Sequence, residues 1–163
     1  MSVIKPEHIG KEMTGKEFNE AYPDIDLVKL TNKKEIHHGF QFTDGLNIDT
    51  FKFNSEVDCS PGGIYFVEKV YASEWIHYIT YFESKMMSNI RKVTIPNDAR
   101  VYIEPHYCQC KIKADKIILA PKEAIGIDVY VQYLKNDPRG ERAIFNIPEH
   151  VRYEVIAAYK QYN

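Results

Sequence analysis

Three cysteines in 163 residues are too few, and too odd a number, for a disulfide framework. Their scarcity predicts a reducing compartment. No apolar run approaches the roughly 20 residues of a membrane span. The stretch from Met1 to Thr14 lacks the apolar core of a signal peptide. A surplus of one charge is lacking too: 21 Lys and Arg face 23 Asp and Glu, for a formal charge of −2. That balance excludes broad electrostatic binding of nucleic acid. The basic residues are scattered among acids rather than interleaved with the 12 tyrosines, which read as half-buried sheet residues. Absent as well are a G-x-S-x-G elbow, a Walker loop, a dinucleotide fingerprint, an EF-hand and H-E-x-x-H. With no internal repeat and no low-complexity stretch, residues 1–163 read as one soluble domain. A chain of this length buries a core without external staples.

What is present has an order. Thr14-Gly15-Lys16-Glu17 is a capping box. Phe18, Ala21 and Tyr22 follow at helical spacing until Pro23. Leu27 to Thr31 reads as a strand. Gly39 to Phe42, the Asp44-Gly45 turn and Leu46 to Ile48 have the form of a hairpin, with Phe51 and Phe53 continuing the alternation. Ile64 to Val67 is rich in β-formers. From Tyr71 to Met87 the apolar residues Ala72, Trp75, Ile76, Ile79 and Phe82 recur at three and four, predicting a helix that Ser88 and Asn89 end. Trp75 in the middle of that stripe is expected to be at least half buried. Ile90 to Ile95, Val101 to Ile103 and Asp115 to Leu119 are further strands, the first two joined by the Pro96-Asn97-Asp98 turn. From Lys122 the chain reads as mostly helical, with Pro148 at a first helical position and Val151, Val155, Ala158 and Tyr159 on one face. The pattern predicts an α+β fold: a strongly twisted or split, mostly antiparallel sheet over 27–120, one central helix, and a helical appendage over 122–163.

Three constellations could carry chemistry. His37-His38-Gly39 brings two imidazoles together, but neighbours on one strand point to opposite faces, which disfavours a metal pair. Pro61-Gly62-Gly63-Ile64-Tyr65-Phe66 combines glycines that let a ligand approach the backbone with a flat ring that could stack a heterocycle. A tight turn into a core strand explains the same residues. His106, Cys108 and Cys110 would share one face of a strand, and all three are zinc donors. A fourth ligand would come from Cys59, His37, His38 or another remote residue; two small half-buried thiols are the alternative. Cys59 has no histidine close in sequence to activate it as a nucleophile. Glu104 ends a strand beside Pro105, where an exposed carboxylate is the default and a catalytic one the alternative.

An ordered series of segments is similar to a known family. It comprises Met13 to Phe18, Leu27 to Asn32, Gly39 to Phe42, Gly45 to Thr50 and Cys59 to Phe66, then Trp75, Arg91 to Pro96, Ala99 to Glu104 and Lys113 to Leu119. Over residues 13–120 the chain resembles uncharacterised proteins encoded by mimivirus-like giant DNA viruses of amoebae. Pro105 to Cys110 stands where members of that family carry a lysine- and phenylalanine-containing stretch, so a zinc site is not implied family-wide. Phe145 to Arg152 is similar to the start of helical repeats found in the same viruses. The family implies a viral origin, and with it a place in the host cytoplasm or the virion, but no activity.

A second, more distant resemblance is to ADP-ribosyltransferases. His38-Gly39 and Gly63-Ile64-Tyr65-Phe66 match two motifs of the diphtheria-toxin and poly-ADP-ribose-polymerase branch in order, with Trp75 or Tyr78 one helix later as a second aromatic. The resemblance implies NAD as cofactor, held by His38, Gly39, Gly63, Tyr65, Trp75 and Tyr78. His38, Tyr65 and a glutamate would do the chemistry. Glu104, Glu149 and Glu154 are the candidates for that glutamate, and no motif chooses among them. Two functional classes follow. The preferred one is a non-enzymatic viral module that binds a host or viral protein through a sheet edge or its helical tail, with no cofactor, membrane or nucleic acid. The other is an NAD-binding, ADP-ribosyltransferase-like domain, active or degenerate. If Tyr65 and Trp75 line a site, they should be partly exposed and share a cleft with His38.

Overall fold

The computed structural model describes residues 2–56, 61–83, 86–105 and 111–162, with the side chains of 78 and 80–83 excepted. After a 3-10 turn at Pro6–His8, strand β1 (Glu12–Thr14) runs directly into helix α1 (Gly15–Ala21). The helix starts where the capping box places it. The Thr14 hydroxyl accepts from the Glu17 amide at 3.1 Å, and the Glu17 carboxylate accepts from the Thr14 amide at 2.7 Å. Then follow β2 (Leu27–Asn32), the short β3 (Ile36–His37) and β4 (Phe40–Gln41), β5 (Gly45–Ile48) and β6 (Ile64–Glu68). Helix α2 (Ala72–Glu83) carries the predicted apolar stripe, and Trp75 on it is more than half buried, as its phase requires. β7 (Met87–Thr94), β8 (Arg100–Ile103), β9 (Ile112–Ala114), β10 (Lys116–Leu119) and β11 (Glu123–Ala124) complete the strands. Helices α3 (Ile127–Asn136) and α4 (Arg152–Gln161) close the described chain.

Nine of the described strands form one sheet in the order β1-β8-β9-β6-β2-β7-β10-β5, with β11 also on β7, while β3 and β4 pair apart as a two-stranded hairpin, and all the pairings are antiparallel. Strand alternation sends neighbouring residues into two cores. Along β2, Leu27 joins one cluster, while Val28 and Leu30 join the other. On β6, Ile64 and Phe66 face the first cluster and Val67 the second. Helix α1 covers the first face through Phe18, and Tyr22, just after the helix, packs in the same cluster. Helices α2, α3 and α4 cover the second, where Val155 is buried and Val151, Ala158 and Tyr159 pack partly against the same cluster. This is the α+β fold that the pattern predicts.

Several local expectations need correction. The hairpin lies one step earlier than expected, because β4 pairs back with β3 while β5 pairs with β10. Phe51 and Phe53 are not in a strand; Phe53 is buried and Phe51 exposed. Ser88 and Asn89 belong to β7 rather than ending a helix, since Asn89 pairs with both Thr31 and Ala124. Tertiary pairing overrides local turn preference there. Residues Glu123–Ala124 are a strand inside the segment expected to be helical. Pro148 precedes a 3-10 turn, Glu149–Val151, and α4 begins only at Arg152. Among the described tyrosines, Tyr65 and Tyr102 lie in the sheet, whereas Tyr130, Tyr133, Tyr153 and Tyr159 lie on helices.

Candidate functional site

A cleft of about 350 Å³ opens between the sheet, the β3–β4 hairpin and α2. Its size suits a small ligand or a few side chains of a partner. Two walls and a floor enclose it.

The first wall is the hairpin. His38 and Gly39 both have positive φ, 47° and 78°, the two-residue turn whose twist matches antiparallel strands. In that turn His38 leaves the strand, so the two imidazoles come together with ring centroids 4.1 Å apart. The expectation that they point to opposite faces therefore fails. Among the described residues no group of three or more His, Cys, Asp or Glu could hold a metal ion. His106, Cys108, Cys110 and Cys59 lie outside the described residues.

The hairpin is fastened from below by a buried ion pair. Glu35 has φ of 54° and is buried, as is Arg91 on β7. Arg91 Nε donates to Glu35 Oε2 and Nη2 to Oε1, each at 2.7 Å, in a two-pronged fork. Arg91 Nη1 also reaches Asp44 at 2.6 Å and the Ala120 carbonyl at 2.8 Å. The Thr31 hydroxyl donates to Glu35 at 2.8 Å. The Arg91 hydrogen bonds hold the Glu35 carboxyl below its ordinary range against the effect of burial, and Glu35 in turn raises Arg91. Asp137, behind α2, is also held far below the carboxylate range, first by its hydrogen bonds from Arg139 and further by His77.

These depressed acids set an acid limit. Their contribution is complete above the unfolded carboxylate values near about 4 and is lost as pH falls through the lower folded values. Melting temperature should therefore fall steeply below about pH 4. The Glu35→Gln variant should start less stable and fall less steeply; parallel curves for the two proteins would contradict the assignment.

The second wall is the Pro61-Gly62-Gly63 turn. Gly62 and Gly63 have φ of 106° and 137°, backbone that L side chains rarely adopt. The Gly63 amide donates to Asp49 Oδ2 at 2.6 Å, tying the turn to the chain after β5. A Cβ at Gly62 would run into backbone, the Lys52 carbonyl and the Asn54 amide, whereas the nearest atoms to one at Gly63 belong to the Lys113 side chain. Gly62→Ala should therefore cost about 1–3 kcal/mol and exceed Gly63→Ala, because only a side chain can move aside. Equal denaturation midpoints for the two variants would refute that ranking.

The floor is Tyr65 on β6, with Trp75 from α2 beside it, both partly exposed. The Tyr65 hydroxyl donates to Glu104 Oε1 at 2.8 Å. Lys111 Nζ stands 3.9 Å above the Tyr65 ring, 5.9 Å from that of Trp75 and 3.6 Å from Glu104 Oε2. Lys29 Nζ donates to the Tyr65 carbonyl at 2.7 Å and lies over Phe42. Glu104 is only 7% exposed and Lys111 3%, so the default of an exposed strand-end carboxylate is wrong. The Glu104 amide bonds the Lys111 carbonyl at 3.0 Å, which draws both residues inward.

His38, Gly63, Tyr65 and Trp75 thus share one cleft, whereas Gly39, at the hairpin turn, and Glu104, bonded to the Tyr65 hydroxyl, do not line it. Tyr78 is on α2, but its side chain is outside the described set. Glu149 and Glu154 are exposed near α4, away from the cleft. Sequence reasoning missed Lys29, Glu35, Arg91 and Lys111. A buried lysine or arginine looks like a surface one until its partner, 56 residues away for Arg91 and Glu35, is placed beside it.

No family model matches the chain, and no solved structure does. Among curated proteins, it is 39% identical over 72 residues to an ankyrin repeat protein of Acanthamoeba polyphaga mimivirus, covering 43% of this chain and 32% of that one. A second ankyrin repeat protein of the virus is 30% identical over 144 residues, 78% of this chain and 49% of the relative. An uncharacterized protein of the virus is 42% identical over 52 residues, 31% of this chain and 38% of the relative. The chain thus spans between about a third and a half of the length of these relatives. A match over 78% of the chain must run through much of the sheet. These likenesses support the resemblance to proteins of mimivirus-like giant viruses, and nothing among them supports one to ADP-ribosyltransferases. No helix among the described residues is long and apolar enough to cross a membrane.

Proposed function

We propose that the chain is a non-enzymatic protein-interaction module of a giant virus. The observation that carries this reading is its similarity, over no more than half their length, to larger viral proteins named for ankyrin repeats. Such repeats stack into extended binding surfaces. The sheet unit described above is not such a stack, so it would add a recognition surface of its own. On this reading the partner is a host or viral protein, and residues 1–163 act as one domain whose helices α3 and α4 buttress the sheet. The test is capture from an extract of infected amoebae on immobilised chain, with free chain titrated in as competitor. A protein retained in a saturable way, released by free chain and indifferent to millimolar NAD supports the reading. Transfer of ADP-ribose from labelled NAD to the chain or to extract proteins overturns it.

A second reading has its own observation: His38, Gly63, Tyr65 and Trp75 line one cleft, with both aromatic residues partly exposed. On that reading the cleft takes NAD, with His38 and Tyr65 on the ligand and Glu104 acting through the Tyr65 hydroxyl. Its test is a titration with NAD, read at Trp75.

A further inference from the structure

The two edges of the sheet are finished differently. β1 at one end is three residues long and carries Glu12, which is ion-paired with Arg100. Short, charged edges of this kind discourage pairing with another chain. β5 at the other end has no charged residue between Gly45 and Ile48.

The hydrogen-bond parity of β5 follows from its register. The Asp49 amide donates to the Asp115 carbonyl at 2.9 Å, and Asn47 stands opposite Ile117. In an antiparallel ladder bonded pairs alternate, so Asn47 turns its main chain toward β10 while Leu46 and Ile48 turn theirs outward. Among the described residues, no hydrogen bond beyond the ladder reaches the main chain of Leu46 or Ile48. The same two residues are 54% and 55% exposed, with their side chains on one face of the strand. Ile118 lies opposite Leu46 on β10 and is also exposed, which extends the aliphatic stripe inward. The Asn47 side chain bonds the Thr43 amide and carbonyl and the Gly45 carbonyl, so the strand is held straight before anything docks.

We infer that β5 is the seam of a symmetric homodimer, in which two copies pair their β5 strands antiparallel about Asn47. In that register Leu46 faces the partner's Ile48, and the outward amides and carbonyls of the two residues bond reciprocally. Leu46, Ile48 and Ile118 of both copies form one aliphatic strip. The flanking acids do not oppose one another: Asp44 comes opposite the partner's Thr50, and Asp49 opposite the partner's Gly45. Like charges placed directly across a strand pair would oppose docking, and this register avoids them. A four-residue strand and three aliphatic side chains per copy bury less than the ~1,200 Å² of a standard stable interface, so the dimer is reversible rather than obligate.

Sedimentation velocity of the full chain, from about 5 to about 500 μM, tests this within the range expected of a small interface. The weight-average coefficient should climb from monomer toward dimer with concentration. Leu46→Lys and Ile48→Lys replace exposed side chains, should keep the parent melting temperature, and should stay monomeric throughout. Tyr153→Lys, an exposed position on α4, should associate as the parent does. Amide exchange at Leu46 and Ile48 should slow as the parent concentration rises. A parent that stays monomeric at every concentration overturns the seam, as does association that survives both β5 variants or is abolished by Tyr153→Lys.

Discussion

Arg91→Ala is expected to unfold the chain in moderate denaturant, with a loss of about 3–5 kcal/mol. The reason is what the substitution leaves behind. Glu35 is buried and its two oxygens are gripped by Arg91, with the Thr31 hydroxyl as a further donor. Removing the guanidinium leaves a buried carboxylate with only the Thr31 hydroxyl and the half-exposed Lys122 ammonium, 3.9 Å away, among its described partners, and the loss of contacts to Asp44 and the Ala120 carbonyl adds to the cost. Lysine is no substitute, because a point charge cannot reproduce the fork. Arg91→Lys should therefore remain clearly destabilised. The pair also sits beneath the hairpin that carries His37 and His38, so any ligand of the cleft should bind the surviving folded fraction more weakly. Urea denaturation of both variants measures this, and a loss under about 1 kcal/mol for Arg91→Ala would show that the pair is dispensable.

Lys111→Met is the second large effect. The methionine keeps the apolar stem against Tyr65 and Trp75 but removes the charge facing Glu104. Glu104 would then be buried with the Tyr65 hydroxyl as its remaining side-chain partner among the described residues, and the expected loss is again about 3 kcal/mol or more. Glu104→Gln in the same background should recover part of it, because the uncompensated charge is gone while the hydrogen bond from Tyr65 is kept. A double-mutant cycle measures the coupling directly, and strictly additive losses would mean that the two groups do not interact.

The parts of the fold that sequence reveals are those specified by neighbours in the chain. The capping box at Thr14 and Glu17, the apolar phase of α2 and the turn at Pro96-Asn97-Asp98 all act within a few residues. The misplaced hairpin shows the limit. Asp44-Gly45 is as good a turn dipeptide as any, yet the pairing is decided by β10, some 70 residues on, and His38-Gly39 makes the tight turn instead. The cleft was legible in the same uneven way. His38, Gly63, Tyr65 and Trp75 stand out as residue types, and the fold brings them together. Lys29, Glu35, Arg91 and Lys111 do not stand out, because burial of a charge depends on partners that only tertiary structure supplies.

The cleft therefore lends itself to one decisive reading. Trp75 is the single tryptophan of the chain and lines the cleft, so its fluorescence reports occupancy without a label. Titration with NAD and ADP-ribose should be made on the parent chain and on His38→Ala, with melting temperature followed in parallel. A ligand at 100 times its dissociation constant adds about 2.7 kcal/mol of stability, an easily seen shift. A non-enzymatic interaction module predicts no saturable change in Trp75 emission and no shift in melting up to millimolar NAD. A saturable change that His38→Ala abolishes would contradict it and make the cleft a nucleotide site.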